Sequence, residues 1–345
     1  MLRIRFNTAA AAGVAIASSG PVRQRIMLGQ CESAAVSIAL PDRIRDMFAL
    51  SSGIGGVSAS AIRARMMTAV AAGAASAFET FDPDVVNWWT AIGTSNISLL
   101  TVAAADDIVV GLKAAGLWTN IYMLDLCCGN GLTQALTRLK VPGGVSASYT
   151  NAGFTSGNYA ERGSTGGMTG DANTKYLNSL INPSALGWSA TSFGVFVYVR
   201  TTETAPGGSG VNYTIFGSDT SSSLNNETSL TNFNGGNDRG AIGGNNQHAG
   251  GSPGNNKGFY GVVTNGSASA QLYRNGSAIG SAASMSGGFF SGNLLKHGLN
   301  QGGSPVQLTE RTLSTTILTS GLSGAQVTAL YNLVQAFETA LGRNV

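Results

Sequence analysis

The chain has 345 residues, enough for about two domains and a sizeable core, so no disulfide or metal staple is needed to hold it together. Only 11% of it is charged, the net charge is +3 and 48 residues are glycine; against norms of about 25% charged and about 7% glycine, solvation must come from Ser, Thr, Asn and Gly. Three cysteines (Cys31, and Cys127 beside Cys128) exclude a disulfide framework, and two histidines (His248, His297) leave little for imidazole catalysis or a zinc centre.

The first 80 residues hold eight arginines against four acids, a net +4, whereas the remainder holds twelve bases against thirteen acids. The chain reads as a cationic arm on a nearly neutral body. The arginines form four Arg-x-Arg pairs, Arg3/Arg5, Arg23/Arg25, Arg43/Arg45 and Arg63/Arg65, recurring every 20 residues. Nothing else in the intervening Ala/Ser/Gly-rich blocks repeats cleanly. Such weakly apolar sequence buries too little to fold alone, so residues 1–80 are expected to be ordered by a partner or by copies of themselves. The basic start and Ala-rich middle of Met1 to Ser19 imitate a secretory signal, but Asn7 and Thr8 interrupt the apolar run. No stretch reaches the roughly 18 to 20 apolar residues of a membrane-spanning helix.

From Asp82 the pattern turns helical. Asp82 is an N-cap with Pro83 in first position, leading into Val85, Val86, Trp88, Trp89 and Ile92. A second helix is predicted from Thr101 to Ala115 with a stop at Gly116, and a short third from Leu132 to Lys140, before Pro142. Too few for a bundle, these helices should pack on something larger.

From about Val145 to Gly321 the sequence is rich in Gly, Asn, Ser and Thr, with short β-type runs at the spacing of an antiparallel sandwich. In the clearest strand, Ser192 to Arg200, Phe193, Val195, Val197 and Val199 share one face. Further strands are predicted at Tyr213 to Gly217, Gly258 to Thr264 and Leu313 to Leu318. Asn275-Gly276 between Ala270-Gln271-Leu272-Tyr273-Arg274 and Ser277-Ala278-Ile279-Gly280 marks a type I′ hairpin. The Asn/Gly tract from Asn225 to Asn256 reads as loops. A last helix, 323–342, has Ser323 as N-cap, one stripe of Val327, Leu330, Tyr331, Val334, Phe337 and Leu341, and Gly342 as stop.

Several of these segments, in this order, resemble a family. Gly170-Asp171-Ala172-Asn173-Thr174-Lys175-Tyr176-Leu177, the Phe193 to Arg200 strand, Leu272-Tyr273-Arg274-Asn275-Gly276-Ser277-Ala278-Ile279-Gly280, Gly321-Leu322-Ser323-Gly324-Ala325-Gln326-Val327 and Tyr331 to Arg343 look like the concanavalin A-like (laminin G/glucanase-type) jelly-roll modules of tailed-bacteriophage virion proteins. Gly116-Leu117-Trp118 resembles the segment preceding the jelly roll in those proteins. The resemblance runs from near Asp82 to the C-terminus and implies a tail, fibre or capsid-surface protein. The expected fold is mainly β: an antiparallel jelly-roll β-sandwich (145–345) behind a helical connector (81–144), with an extended N-terminal arm (1–80) and a C-terminal helix. A homo-oligomer is expected, because the arm cannot stand alone, with a trimer as first guess. Other virion proteins are the expected partners, and no membrane is.

Glucanases of this fold place catalytic carboxylates as Glu-x-Asp-x-x-Glu on one strand, because alternate residues enter one cleft about 5 Å apart. Here Glu161, Asp171, Glu203, Asp219, Glu227, Asp238 and Glu310 include no two within seven residues, so a non-enzymatic protein without cofactor is expected. Asp219 and Asp238 with nearby Asn oxygens are a calcium candidate, set against ordinary loop polarity. Trp188, Tyr213, Phe233, Phe259 and Tyr260 are aromatics near loops that could contact a host-surface glycan or simply pack. Ile121 to Leu132, with Asp125, Gly129 and Gly131, looks like the first motif of S-adenosylmethionine-dependent methyltransferases; the Gly/Ser/Thr-rich sequence after it lacks the further βα units. The Arg-x-Arg pairs could meet DNA phosphates, but +4 over 80 residues without interleaved aromatics favours acidic protein partners.

Overall fold

The computed structural model describes residues 81–202, 213–220, 226–234, 237–244, 257–266, 269–284 and 287–345, together with four strands nearer the N-terminus. Two compact units are present, Met1–Ala64 and Arg65–Val345. In the first, strands β1 (Leu2–Phe6), β2 (Val14–Ser18), β3 (Arg25–Met27) and β4 (Ala35–Ser37) form a sheet in the order β1-β2-β4-β3. Arg3 and Arg5 lie on β1 and Arg25 on β3, whereas Arg23, Arg43, Arg45, Arg63 and Arg65 fall outside the described residues.

The second unit is built on two larger sheets. The first contains β5 (Ile121–Asp125), β7 (Tyr159–Ala160), β8 (Gly167–Thr169), β10 (Ser192–Val199), β14 (Gly258–Asn265), β15 (Ser269–Arg274), β16 (Ser277–Ser284) and β20 (Thr312–Thr319). Its order is β16-β15-β14-β10-β20-β8-β7, with β5 also paired to β20. The second contains β6 (Thr150–Ala152), β9 (Tyr176–Asn178), β11 (Thr214–Asp219), β12 (Thr228–Asn234), β13 (Asn237–Ala241), β17 (Leu295–Lys296), β18 (Leu299–Gln301) and β19 (Ser304–Val306). Its order is β13-β12-β11-β17-β9-β6, with β18 paired to β11 and β19 to β18. Pairing within the unit is antiparallel except between β11 and β18, and the chain passes repeatedly from one sheet to the other. The molecule is mainly β, with two multi-stranded sheets and a C-terminal helix.

Alternation along β10 explains the layering. Phe193, Val195, Val197 and Val199 point to the second sheet and join Ile215, Phe216, Leu230, Ile242 and Leu294 in one apolar layer. Phe196 and Tyr198 point the other way, into a layer shared with helices α1 (Pro83–Ile92), α2 (Leu99–Ala114) and α4 (Gly324–Ala340). Sheet one is therefore covered on both faces, which is why β10 reads as an almost unbroken apolar run. The predicted α4 stripe faces this layer through Val327, Leu330, Val334, Phe337 and Leu341. Local signals hold as read: the Asp82 side chain accepts from the Asp84 amide at 3.0 Å, and Ser323 and Gln326 close a capping box. Asn275 and Gly276 carry φ of 49° and 77°, the two positive angles of the type I′ turn.

Residues 81–144 share one compact unit with the body, because β5 pairs with β20 and α1 and α2 pack on sheet one. Two expectations need correction. The helix expected over 132–140 stops after one turn, α3 (Leu132–Ala135). There the Arg138 amide and Nε both bond the Ala147 carbonyl at 3.0 Å and the Leu139 amide bonds Leu124 O, which diverts the backbone from the helical ladder. The tract 225–256 is not all loop: Thr228 to Asn234 and Asn237 to Ala241 pair as β12 and β13, with Leu230 in the inter-sheet layer. Residues 245–256 lie outside the described set.

Gly261 on β14 sits opposite Phe196 on β10, and a Cβ at 261 would overlap the Phe196 ring. That ring stacks on Phe259 with centroids 5.4 Å apart. Gly261→Ala is expected to cost about 1–3 kcal/mol through overpacking. Urea unfolding of the variant, and of the Phe196→Leu background in which the clash is relieved, measures it; equal losses in both backgrounds would contradict this origin.

Candidate functional site

The glycine-bearing turn after β5 meets no parallel sheet. Met123, Leu124 and Asp125 pair antiparallel with Leu318, Ile317 and Thr316 of β20, so the switch point that a nucleoside site requires is missing. Asp125 is committed elsewhere. Its Oδ1 accepts the Cys127 amide at 2.9 Å, and its Oδ2 accepts Lys296 Nζ at 2.8 Å and the Tyr149 hydroxyl at 3.1 Å. The methyltransferase reading is therefore withdrawn.

What the β5 segment does form is a buried polar seam. The Lys296 and Asp125 side chains are each 1% exposed, and Lys296 also donates to Ser314 O at 2.9 Å. The Arg138 guanidinium lies over the Tyr149 ring, 4.5 Å from its centroid, and donates to Ser179 O at 2.8 Å. Burial, then the Asp125 charge, pushes the Tyr149 hydroxyl well above its ordinary pKa, so it stays a donor. Burial likewise pushes the Cys127 thiol up to about 11 and raises that of Cys128. Neither thiol is a nucleophile at neutral pH; both act as small apolar side chains. A second buried pair closes the chain end, where Arg343 Nε donates to Glu338 Oε2 at 2.8 Å with both side chains fully buried.

His297 follows Lys296 into the core. It is fully buried, has φ of 67°, and packs against the Phe154 ring at 5.0 Å; among the described residues neither ring nitrogen has a hydrogen-bond partner. Burial first, then the Lys296 charge, holds its pKa well below 6.5, only partly offset by Asp171. The Asp171 carboxylate is already occupied by Lys175 Nζ, the Thr174 hydroxyl and three amides. The folded chain therefore holds His297 neutral while the unfolded chain binds a proton near pH 6.5, so stability is complete above that pH and falls as pH drops through it. Wild-type protein should lose up to about 1.4 kcal/mol per pH unit there from this group, and His297→Asn, which also tolerates positive φ, should lose less. Unfolding midpoints between pH 7.5 and 5 measure the difference; parallel profiles would oppose it.

The predicted contact aromatics separate. Tyr213, Phe259 and Tyr260 are buried, so none offers a ring face to a ligand. Phe233 lies on β12, with its side chain outside the described set. Among the described ones only Trp188 stays half-exposed, stacked on half-exposed Tyr122 with centroids 4.2 Å apart at 14°, above Phe193 and Phe289. Sequence reading had missed Tyr122. Asp219 and Asp238 are buried, and among the described residues no cluster of three His, Cys, Asp or Glu could hold a metal. Asp238 has Arg274, Arg311 and Tyr260 as neighbours, and guanidinium charge opposes a cation; burial raises its pKa to about 6. No helix among the described residues is long and apolar enough to cross a membrane.

No family model matches the chain, and no curated protein does. Among solved structures it is similar to sialidases and to a module of one. The NanB sialidase from Streptococcus pneumoniae is 16% identical with a TM-score of 0.34, over 47% of this chain and 27% of that one. Trypanosoma rangeli sialidase in complex with 2,3-difluorosialic acid is 16% identical with a TM-score of 0.41, over 62% and 32%. The CBM40 of Ruminococcus gnavus IT-sialidase is 12% identical with a TM-score of 0.32, over 41% and 82%. The chain thus spans about a third or less of the two enzymes, and likeness this slight transfers neither substrate nor activity.

Lys296 and Arg343, which organise the two buried pairs, escaped the sequence reading. Their signal was present in a chain that is only 11% charged: Lys296 follows the apolar pair Leu294-Leu295, and Arg343 lies five residues after Glu338, just past the apolar stripe that ends at Leu341. A charge placed there has a buried partner or a cost.

Proposed function

We propose that this protein is a non-enzymatic structural component of a bacteriophage virion: a tail, fibre or capsid-surface appendage. Residues 1–80 anchor it to other virion proteins and to copies of itself, and a trimer is the first expectation. The body, 145–345 with the 81–144 segment packed against it, is read as a concanavalin A-like jelly-roll sandwich facing outward. The observation that carries this reading is the use made of the ionisable side chains. Asp125, Asp171 and Glu338 are each held at 2.8 to 2.9 Å by Lys296, Lys175 and Arg343, so these acids are committed to partners within the chain rather than turned toward a substrate. The ordered jelly-roll motifs and the repeated crossing between two sheets support the same reading. Deleting 1–80 tests it: the body should remain soluble and folded yet fail to enter particles, and a truncated protein that still assembles would remove the anchor.

The half-exposed Trp188 and Tyr122 stack favours a second reading, a module that recognises host-surface glycans, because an aromatic face suits the apolar face of a sugar ring. A glycan array with wild-type protein and Trp188→Ala separates the two; binding that survives the substitution would place the contact elsewhere.

A further inference from the structure

The Lys296 and Asp125 contact is arranged as a condensation site as well as an ion pair. Nζ and Oδ2 lie 2.8 Å apart, and each side chain is 1% exposed. The amine is oriented by Ser314 O, Oδ1 faces the Cys127 N–H at 2.9 Å, and Oδ2 faces the Tyr149 hydroxyl at 3.1 Å. An amine, a carboxyl group, a backbone donor on one oxygen and a proton carrier on the other are the parts an amide-forming reaction needs. They are brought together by β5 of sheet one and β17 of sheet two.

We propose that Lys296 and Asp125 join spontaneously in the folded protein as an intramolecular isopeptide bond. One proton passes from Nζ to Oδ2 along the existing contact, which leaves a neutral amine and a carboxylic acid. The Nζ lone pair attacks Cγ, and the charge that develops on Oδ1 is stabilised by the Cys127 amide. A second proton leaves the nitrogen, reaches the Oδ2 hydroxyl through Tyr149, and the Cγ–Oδ2 bond breaks to release water. The Nζ–Cγ amide remains. Nothing is oxidised or reduced and no co-reactant is needed. Arg138, stacked on the Tyr149 ring and hydrogen-bonded to Ser179 O, is a positioning residue that fixes the hydroxyl.

Two physical terms drive the step. Fixed proximity makes an otherwise improbable encounter effectively unimolecular. The product is a neutral amide, so two charges no longer need accommodation in the core, and the released water leaves a site that bulk water does not flood. The linkage joins residues 171 positions apart.

Intact mass of the full-length chain, measured after denaturation, tests this directly. The wild type should be lighter than its sequence by one water, and proteolysis should yield one branched peptide uniting the Asp125 and Lys296 segments. Lys296→Arg should show the full mass, and Tyr149→Phe should close several-fold more slowly after refolding from denaturant. A wild-type protein of full mass after days in the folded state would overturn the proposal. So would a water loss that maps to any other residue.

Discussion

Arg343→Ala is expected to destabilise the second unit by about 3–5 kcal/mol, the range for removing one partner of a fully buried ion pair. The guanidinium fork spends its donors on Glu338 Oε2 at 2.8 Å and Oε1 at 3.0 Å, Cys127 O at 2.8 Å, Leu126 O at 3.1 Å and Glu161 O at 3.4 Å. Alanine would strand the Glu338 carboxylate, which then keeps only the Thr315 hydroxyl and amide. It would also orphan two carbonyls just after β5. Arg343→Lys keeps the charge but not the planar fork, so it should recover only part of the loss. The urea midpoint of each variant reports this; a cost below about 1 kcal/mol for alanine would mean that water or rearrangement replaces the fork.

Lys296→Met should lose at least as much, about 3–5 kcal/mol, because methionine fills the volume but leaves Asp125 as an uncompensated carboxylate 1% exposed to solvent. Tyr149 and the Cys127 amide still donate to it, which limits the loss without cancelling it. Removing the proposed covalent link adds to the cost. Chemical unfolding gives the size, and a neutral substitution would show that the seam tolerates an unpaired acid.

The legible parts of this fold are those written in neighbouring residues. The β10 alternation, the Asn275-Gly276 turn, the Ser323 cap and the α4 stripe are decided within about four positions of one another, where propensity and period act directly. Features that join distant segments could not be read. Nothing near Ile121 says that it pairs with Thr319, and nothing near Asp125 says that it meets Lys296. The α3 misreading has the same cause, since Arg138 leaves the helix for carbonyls at Ser146, Ala147 and Ser179. Of the proposed contact aromatics, composition placed Trp188 and Tyr260 alike; only strand order puts one at a rim and the other inside. β12 was hidden because Asn and Gly dominate its surroundings, although Ser229-Leu230-Thr231 carries the alternation.

The layer outside sheet one draws on both ends of the second unit, with Val85, Trp88 and Ile108 meeting Val334, Phe337 and Leu341. A chain leaving the ribosome therefore carries α1, α2 and β5 without α4, and β5 without its β20 partner, until residues 312–340 have emerged. Contacts of such long sequence separation form slowly. A stop codon that removes residues 322–345 would take α4 from this layer and uncover apolar side chains of α2 and sheet one, and the product should collect as insoluble material rather than as shortened but usable protein.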